Sequence, residues 1–187
     1  QGFSQRGLYS GSGFCIAPNL IATNRHVIEG ATAPNIKIIG KYRSYRVDEL
    51  ELDPINDLAI LKVSDNLKPF RLGHFNFVEP GEQVIAIGFP SLDSYVHSEN
   101  IYISKGIINS IRRISDLPER NIFIDAKIGS GMSGGPLIND LGEVVGIVTF
   151  IRYGIKGNEK GVFAVENQPV ALPVHLLRKY LMKYSIY

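Results

Sequence analysis

The chain reads as an all-β protein closed by one C-terminal helix, and three observations carry that reading. Short β-branched or aromatic runs recur along its length, clusters of Gly, Pro, Asn and Asp separate them, and only the final stretch has helical spacing. Many short strands with regular turn signals belong to a sandwich or a barrel.

The elements follow in order. Asn35-Ile36-Lys37-Ile38-Ile39 and residues 42–47 show short, partly alternating patterns. Val84-Ile85-Ala86-Ile87, Ile101-Tyr102-Ile103, Asn121-Ile122-Phe123-Ile124 and residues 144–150 are β-branched or aromatic runs, read as strands. Residues 68–80 contain two prolines and one glycine and read as the joint between two halves. At the end, Pro173 suits a first helical turn, and Leu176, Leu177, Tyr180 and Leu181 make an apolar stripe one helical turn apart. No internal repeat or low-complexity segment interrupts this order.

Length and composition exclude several classes. A chain of 187 residues holds one domain with a substantial core, or two small fused barrels. Its 44% hydrophobic and 20% charged content is that of a globular protein rather than a disordered one. A net charge of +2 gives no ground for nucleic-acid or anionic-membrane binding. Arg178-Lys179 with Lys183 reads as a solvated helix face. No apolar run is long enough to span a bilayer, and no leader is recognisable. Gln1 in first position implies a processed or trimmed chain. The single cysteine, Cys15, excludes an internal disulfide and, in an apolar strand pattern, reads as buried. His74, His97 and His175 lie far apart without metal-ligand spacing and read as surface or capping residues, so no metal site is expected.

The most informative stretch is Gly131-Met132-Ser133-Gly134-Gly135-Pro136. Its glycines permit φ > 0 and close backbone approach, which would leave a serine hydroxyl exposed beside preformed N–H donors. His26 in Thr23-Asn24-Arg25-His26-Val27 lies upstream, and Asp57 in Asp57-Leu58-Ala59-Ile60-Leu61 lies between the two. The order His, Asp, Ser is that of the chymotrypsin-type triad. On that template Ser133 is the nucleophile, His26 the base and Asp57 the residue that holds the imidazole. The N–H groups of Gly131 and Ser133 form the oxyanion hole. Asp53, before Pro54, reads as a turn residue; Asp57 is preferred because the apolar strand after it would bury and orient it.

Further blocks extend these motifs. They are Gly11-Ser12-Gly13-Phe14 with residues 20–28, Asp53-Pro54-Ile55-Asn56-Asp57-Leu58-Ala59-Ile60-Leu61-Lys62, residues 80–90, residues 124–137, and Gly142-Glu143-Val144-Val145-Gly146-Ile147. Taken together, and in this order, they make the chain similar to trypsin-like serine peptidases, and within them to HtrA (Deg)-type peptidase domains. Glutamyl endopeptidase-like enzymes share the blocks, but Gly135 and Leu137 favour the HtrA side.

The resemblance implies one peptidase domain over residues 1–187, built from two six-stranded antiparallel β-barrels with a C-terminal α-helix. The N-terminal barrel would take about residues 1–75, the C-terminal barrel about 80–170 and the helix about 173–184, with the site in the cleft between barrels. It implies a serine endopeptidase acting on a protein or peptide through an acyl-enzyme, without cofactor or metal, and favours a periplasmic or secreted location. The oligomeric state stays open. So does a latent or inactive domain that only holds peptides.

By the same resemblance Lys127 and Ile128 form the base of the substrate pocket, and Phe163, Ala164 and Val165 one wall. Lys127 either faces solvent or enters the pocket and favours an acidic side chain, with Glu166 near enough in sequence to neutralise it. Asp125 matches a family position outside the triad. Met132 stands where HtrA-type domains usually have asparagine, and it cannot hydrogen-bond the loop as asparagine does, so a less firmly held turn is expected. PDZ domains usually follow such a domain, whereas this chain stops at Tyr187, leaving a trimmed chain or a stand-alone peptidase.

Overall fold

The structure, a computed structural model, describes residues 2–4, 7–91, 100–114, 117–155 and 164–184. Strands β1 (Gly2–Ser4) and β2 (Gly7–Tyr9) form a hairpin. β3 (Phe14–Ala17) and β4 (Leu20–Thr23) lead into a four-residue helix, α1 (Arg25–Ile28). β5 (Lys37–Ile39) and β6 (Ser44–Arg46) pair with one another, and β7 (Glu49–Leu52) and β8 (Ala59–Lys62) return to the first pair. The resulting sheet has the order β3-β4-β8-β7.

The C-terminal half contains β9 (Gln83–Gly88), β10 (Tyr102–Ile114), β11 (Leu117–Ile124), β12 (Pro136–Ile138), β13 (Val144–Ile155) and β14 (Ala164–Pro173). They close into a six-stranded barrel in the order β10-β11-β14-β13-β12-β9. A 3₁₀ turn, Val174–Leu177, passes directly into helix α2 (Arg178–Lys183).

The all-β class, one closed barrel and the terminal helix are therefore as the sequence predicts. The second closed barrel is not seen. Among the described residues, the N-terminal half is an open four-stranded sheet flanked by the β5–β6 pair. β5 and β6 have three residues each and bury only their central side chains partly, so little apolar surface drives them to complete a ladder with β4 or β7. Helix α1 is also unanticipated.

β10 is far longer than the run at residues 101–103. Ile103 and Ile107 face outward while Ser104 and Ile108 are buried, and a bulge after Ile108 resets the parity. Outward isoleucines and an inward serine erase the alternation by which a half-buried strand is recognised.

The joint at residues 68–80 is tied to both halves. Phe70 N–H donates to Cys15 O (2.9 Å), and Gly73 N–H donates to Val144 O (2.8 Å). One apolar cluster then spans the halves: Phe14, Leu20, Leu58 and Ile60 from the N-terminal half pack with Ile147 and Leu172 of the barrel and Leu177 and Tyr180 of the C-terminal segment. A second cluster fills the barrel and includes Met132.

Single residues can be set against their sequence readings: His74 keeps its surface reading, while Cys15 and the basic residues of α2 differ. Cys15 is half-buried; burial raises its thiol pKa, offset in part by its bond to Ala17 O (2.8 Å). His74 is exposed and meets Arg178, and His175 packs on Phe75, whereas His97 lies outside the described residues. The basic residues of α2 are paired rather than merely solvated: Lys179 meets Asp53, and Lys183 meets Glu51.

Candidate active site

Strand register brings the first two candidates together. β4 and β8 run antiparallel with Thr23 opposite Ala59, so the chain leaving β4 and the chain entering β8 share one end of the sheet. His26, in α1, and Asp57, just before β8, both sit at that end. His26 Nδ1 and Asp57 Oδ2 are 2.7 Å apart, and the His26 backbone N–H donates to Asp57 Oδ1 (2.9 Å). Two carboxylate oxygens held from one residue orient imidazole and carboxylate together.

Two further residues hold Asp57. Thr149 Oγ1, from β13, donates to Asp57 Oδ2 (3.1 Å), and the Asn24 amide donates to Asp57 O (2.9 Å). Both Thr149 and Asn24 are buried. Asp57 itself is only half-buried, its side chain 24% exposed, so neighbouring donors rather than burial orient it. Thr149 was missed in the sequence because it is one polar position inside the apolar run 144–150; no local signal distinguishes it.

Ser133 belongs to the turn before β12 and is 7% exposed. Gly131 (φ +87°) and Gly134 (φ +89°) take the left-handed backbone that their run anticipates. There is no room for a larger residue at either place: a Cβ on Gly131 would stand 2.6 Å from Phe89 O, and one on Gly134 would strike Ser12 O and Thr23 Oγ1. The turn is laced by Met132 N–H to Gly129 O (3.1 Å), Gly134 N–H to Val148 O (2.8 Å) and Gly135 N–H to Met132 O (3.1 Å). Among the described residues, the N–H groups of Gly131 and Ser133 donate to no protein acceptor. Two free N–H groups on alternate residues of a tight turn can receive a developing negative charge.

Ser12 joins this turn to the N-terminal half. Its N–H donates to Ser133 O (2.8 Å), its hydroxyl donates to Gly131 O (2.8 Å), and the same oxygen accepts Phe89 N–H (2.8 Å). A loosely held turn is thus not what the structure has. Met132 is fully buried in the barrel core, and its sulfur accepts Gly129 N–H (3.4 Å). Packing and Ser12 supply what an asparagine side chain would. Ser12 is a single residue in Gly11-Ser12-Gly13, and its partners Gly131 and Ser133 belong to the distant serine turn, so no local pattern marks its role.

The three candidate residues thus lie at one junction of sheet and barrel. His26 and Asp57 are bonded to each other, while Ser133 Oγ makes no hydrogen bond to His26 among the described residues. Lys127 is exposed and Ile128 is half-buried against the barrel core. Ala164 and Val165 pair with Ile155 and Gly154 across β14–β13, and Phe163 lies outside the described residues. Asp125 Oδ1 accepts the N–H of Ile107 (2.7 Å), a structural role within the barrel.

Asp53 is a second carboxylate at the junction, and it is fully buried. Burial by itself would raise its pKa. The N–H of Asn56, the Lys179 ammonium, the N–H of Ile55 and the Asn56 amide outweigh that and hold the carboxyl well below the usual range. Tyr180, whose hydroxyl donates to Asp53 Oδ2 (2.9 Å), is pushed well above the ordinary tyrosine value by burial and by that bond. The turn role read for Asp53 is present, since its Oδ1 accepts from Ile55 N–H (2.8 Å) and Asn56 N–H (2.9 Å).

The chain is similar to known proteins in sequence and in fold. The sequence pattern of the trypsin-like peptidase domain matches residues 11–147. A protein named probable periplasmic serine endoprotease DegP-like from Marinomonas sp. is 37% identical over 171 residues, 88% of this chain and 34% of that protein. One of the same name from Hahella chejuensis is 36% identical over 176 residues, 91% of this chain and 35% of that protein. The chain thus spans about a third of the length of these relatives. Among solved structures, HtrA-type protease AlgW with a decapeptide superposes with a TM-score of 0.70 at 27% identity, covering 92% of this chain and 50% of that one.

Proposed function

The chain belongs to the trypsin-like peptidase family, and from that membership we propose that it is a serine endopeptidase with His26, Asp57 and Ser133 as its triad. The observation that carries the proposal is the His26–Asp57 pair, joined by two hydrogen bonds, beside a glycine turn that holds Ser133 and in which the N–H groups of Gly131 and Ser133 have no protein acceptor among the described residues. In the reaction, His26 Nε2 takes the proton of Ser133 as Oγ attacks the substrate carbonyl carbon. The carbonyl oxygen gains the negative charge and is received by the N–H groups of Gly131 and Ser133. His26 then gives its proton to the leaving amine, and the acyl-enzyme remains. Water, deprotonated by His26, attacks the acyl carbon, and His26 gives that proton to Ser133 Oγ as the ester bond breaks and the acid leaves. Asp57 keeps the Nδ1 proton facing itself and stabilises the imidazolium.

No step calls for a metal or a cofactor. A protein or peptide is the substrate, in keeping with HtrA-type relatives solved with a decapeptide or a tripeptide. We assign the pocket base to Lys127 and Ile128 and its wall to Phe163, Ala164 and Val165. The exposure of Lys127 favours the reading in which it faces solvent and the pocket accepts aliphatic side chains. Relatives named as periplasmic support an extracytoplasmic location.

A second reading, a latent domain that holds peptides, draws on the missing hydrogen bond between Ser133 and His26. Labelling with a fluorophosphonate, read by intact mass, separates the two. One adduct on the wild type and none on Ser133→Ala supports the active enzyme. No adduct on the wild type, but labelling once a peptide is added, supports the latent one.

A further inference from the structure

The loop of residues 53–58 joins β7 to β8 and carries Asp57. Its first residue, Asp53, is 0% exposed, and five donors converge on its carboxylate. Three belong to the loop itself: the N–H groups of Ile55 and Asn56, and the Asn56 amide (3.2 Å). The other two, Lys179 Nζ and Tyr180 OH, come from α2 and lie more than 120 residues away in sequence. A carboxylate removed from water costs several kcal/mol unless it is paired and fully hydrogen-bonded. The α2 donors are therefore part of what lets this loop fold as it does.

Asp53 also reaches toward the histidine. Its carbonyl accepts from Arg25 Nη1 (3.3 Å), the residue before His26, and its N–H donates to Leu58 O (2.9 Å), closing the loop around Asp57. One residue is thereby bonded to α2, to the aspartate loop and to the helix that carries His26.

Helix α2 is equally committed to the barrel. β14 runs into it through Val174–Leu177, and Val174, Leu177 and Tyr180 share a cluster with Ile147 and Leu172 of the barrel and Leu58 and Ile60 of the N-terminal half. One helical turn later the pattern repeats on β7: Lys183 Nζ (2.8 Å) and Tyr184 OH (3.0 Å) both bond Glu51. Glu51 lies within the strand, outside the aspartate loop, so this second pair docks the helix without touching the loop.

We propose that Lys179 and Tyr180 are positioning residues which, acting through Asp53, register the Asp57 loop against the barrel that carries Ser133. The proposal rests on the triad assignment above. Neither residue meets substrate; each acts by fixing where Asp57 and His26 stand. The Asp57 carboxylate is held by three directional bonds, and a displacement of about 1 Å in such a constellation costs on the order of 100-fold in rate. Loosening α2 at Asp53 therefore lowers turnover while leaving the peptide-binding surface alone.

The test uses the full chain with fluorescein-labelled, denatured casein as substrate, and reads kcat, KM, Tm and the rate of fluorophosphonate labelling. Tyr180→Phe removes only a hydroxyl and keeps the ring in the core. Lys179→Met removes the charge and keeps most of the stem, and Lys179→Arg restores the charge. Lys183→Met loosens the second pair as the control. The expected result is a fall in kcat of about tenfold or more for Tyr180→Phe and Lys179→Met, with KM within about twofold. Lys179→Arg recovers most of the loss, and Lys183→Met keeps its kcat.

Folded Tyr180→Phe and Lys179→Met variants with unchanged kcat would overturn the proposal. So would a kcat loss in Lys183→Met equal to theirs and tracking Tm, since general helix docking would then explain it. Ser133→Ala is run beside them. If it cleaves casein at the wild-type rate, the triad assignment fails; if it is dead while Tyr180→Phe and Lys179→Met are unimpaired, only the positioning role fails.

Discussion

Thr149 Oγ1, on barrel strand β13, donates to Asp57 Oδ2 across 3.1 Å and so joins barrel to sheet at the carboxylate that faces His26. A hydrogen bond to a charged group contributes about 1.5–3 kcal/mol. Thr149→Val keeps the shape and loses the donor, and it should lower kcat/KM by roughly 10- to 100-fold. Thr149→Ser should retain most activity. Steady-state kinetics on an unfolded protein substrate decide the matter, and equal activity of the valine variant would deny Thr149 its role.

Ser133→Ala and His26→Ala should each lower turnover by about 10⁶, and the double variant should be little worse, because a nucleophile and its base act as one unit. Additive losses in the double variant would argue that the two do not work together. Single-turnover assays at high enzyme concentration give the needed range.

Ser12→Ala should weaken the serine turn without touching the triad. Its hydroxyl serves both Gly131 O and Phe89 N–H, and each buried group left unpaired costs about 1–3 kcal/mol. The urea midpoint should fall, and fluorophosphonate labelling should slow. A stable variant with a wild-type labelling rate would show that barrel packing around Met132 holds the turn by itself.

Asp53 and Tyr180 set opposite pH limits. The Asp53 carboxyl is depressed in the fold, so its contribution is complete above its unfolded value, about 3.9, and is lost as pH falls toward the folded value. The Tyr180 phenol is raised, so its contribution is complete below about pH 10 and is lost as pH rises through the folded value. Asp53→Asn should lower Tm at pH 7 and flatten its fall below about pH 4; Tyr180→Phe should flatten the fall above about pH 10. Thermal melts across that range test both, and parallel curves for wild type and Asp53→Asn would place the acid limit elsewhere.

The class of the fold, its closing helix and the chemical candidates were legible in the chain. Local chemistry carries them: β-branched runs between turn residues mark strands, apolar residues one turn apart mark the helix, and the glycines around Ser133 are the only residues that tolerate a φ near +90° or the approach of Phe89 O and Ser12 O. What depended on distant partners was not legible. The open N-terminal sheet, the reach of β10 and the helix α1 all turn on how weak local patterns are completed by contacts from elsewhere. Burial pointed to Asp57 as the enclosed carboxylate, yet Asp53 is the one fully enclosed, because two of its donors arrive from the far end of the chain. Thr149, Ser12, Lys179 and Tyr180 are ordinary residues in sequence. Only the tertiary structure assigns them work, because a hydrogen bond is short and directional, and nothing in a local pattern specifies which distant residue folding will bring within its reach.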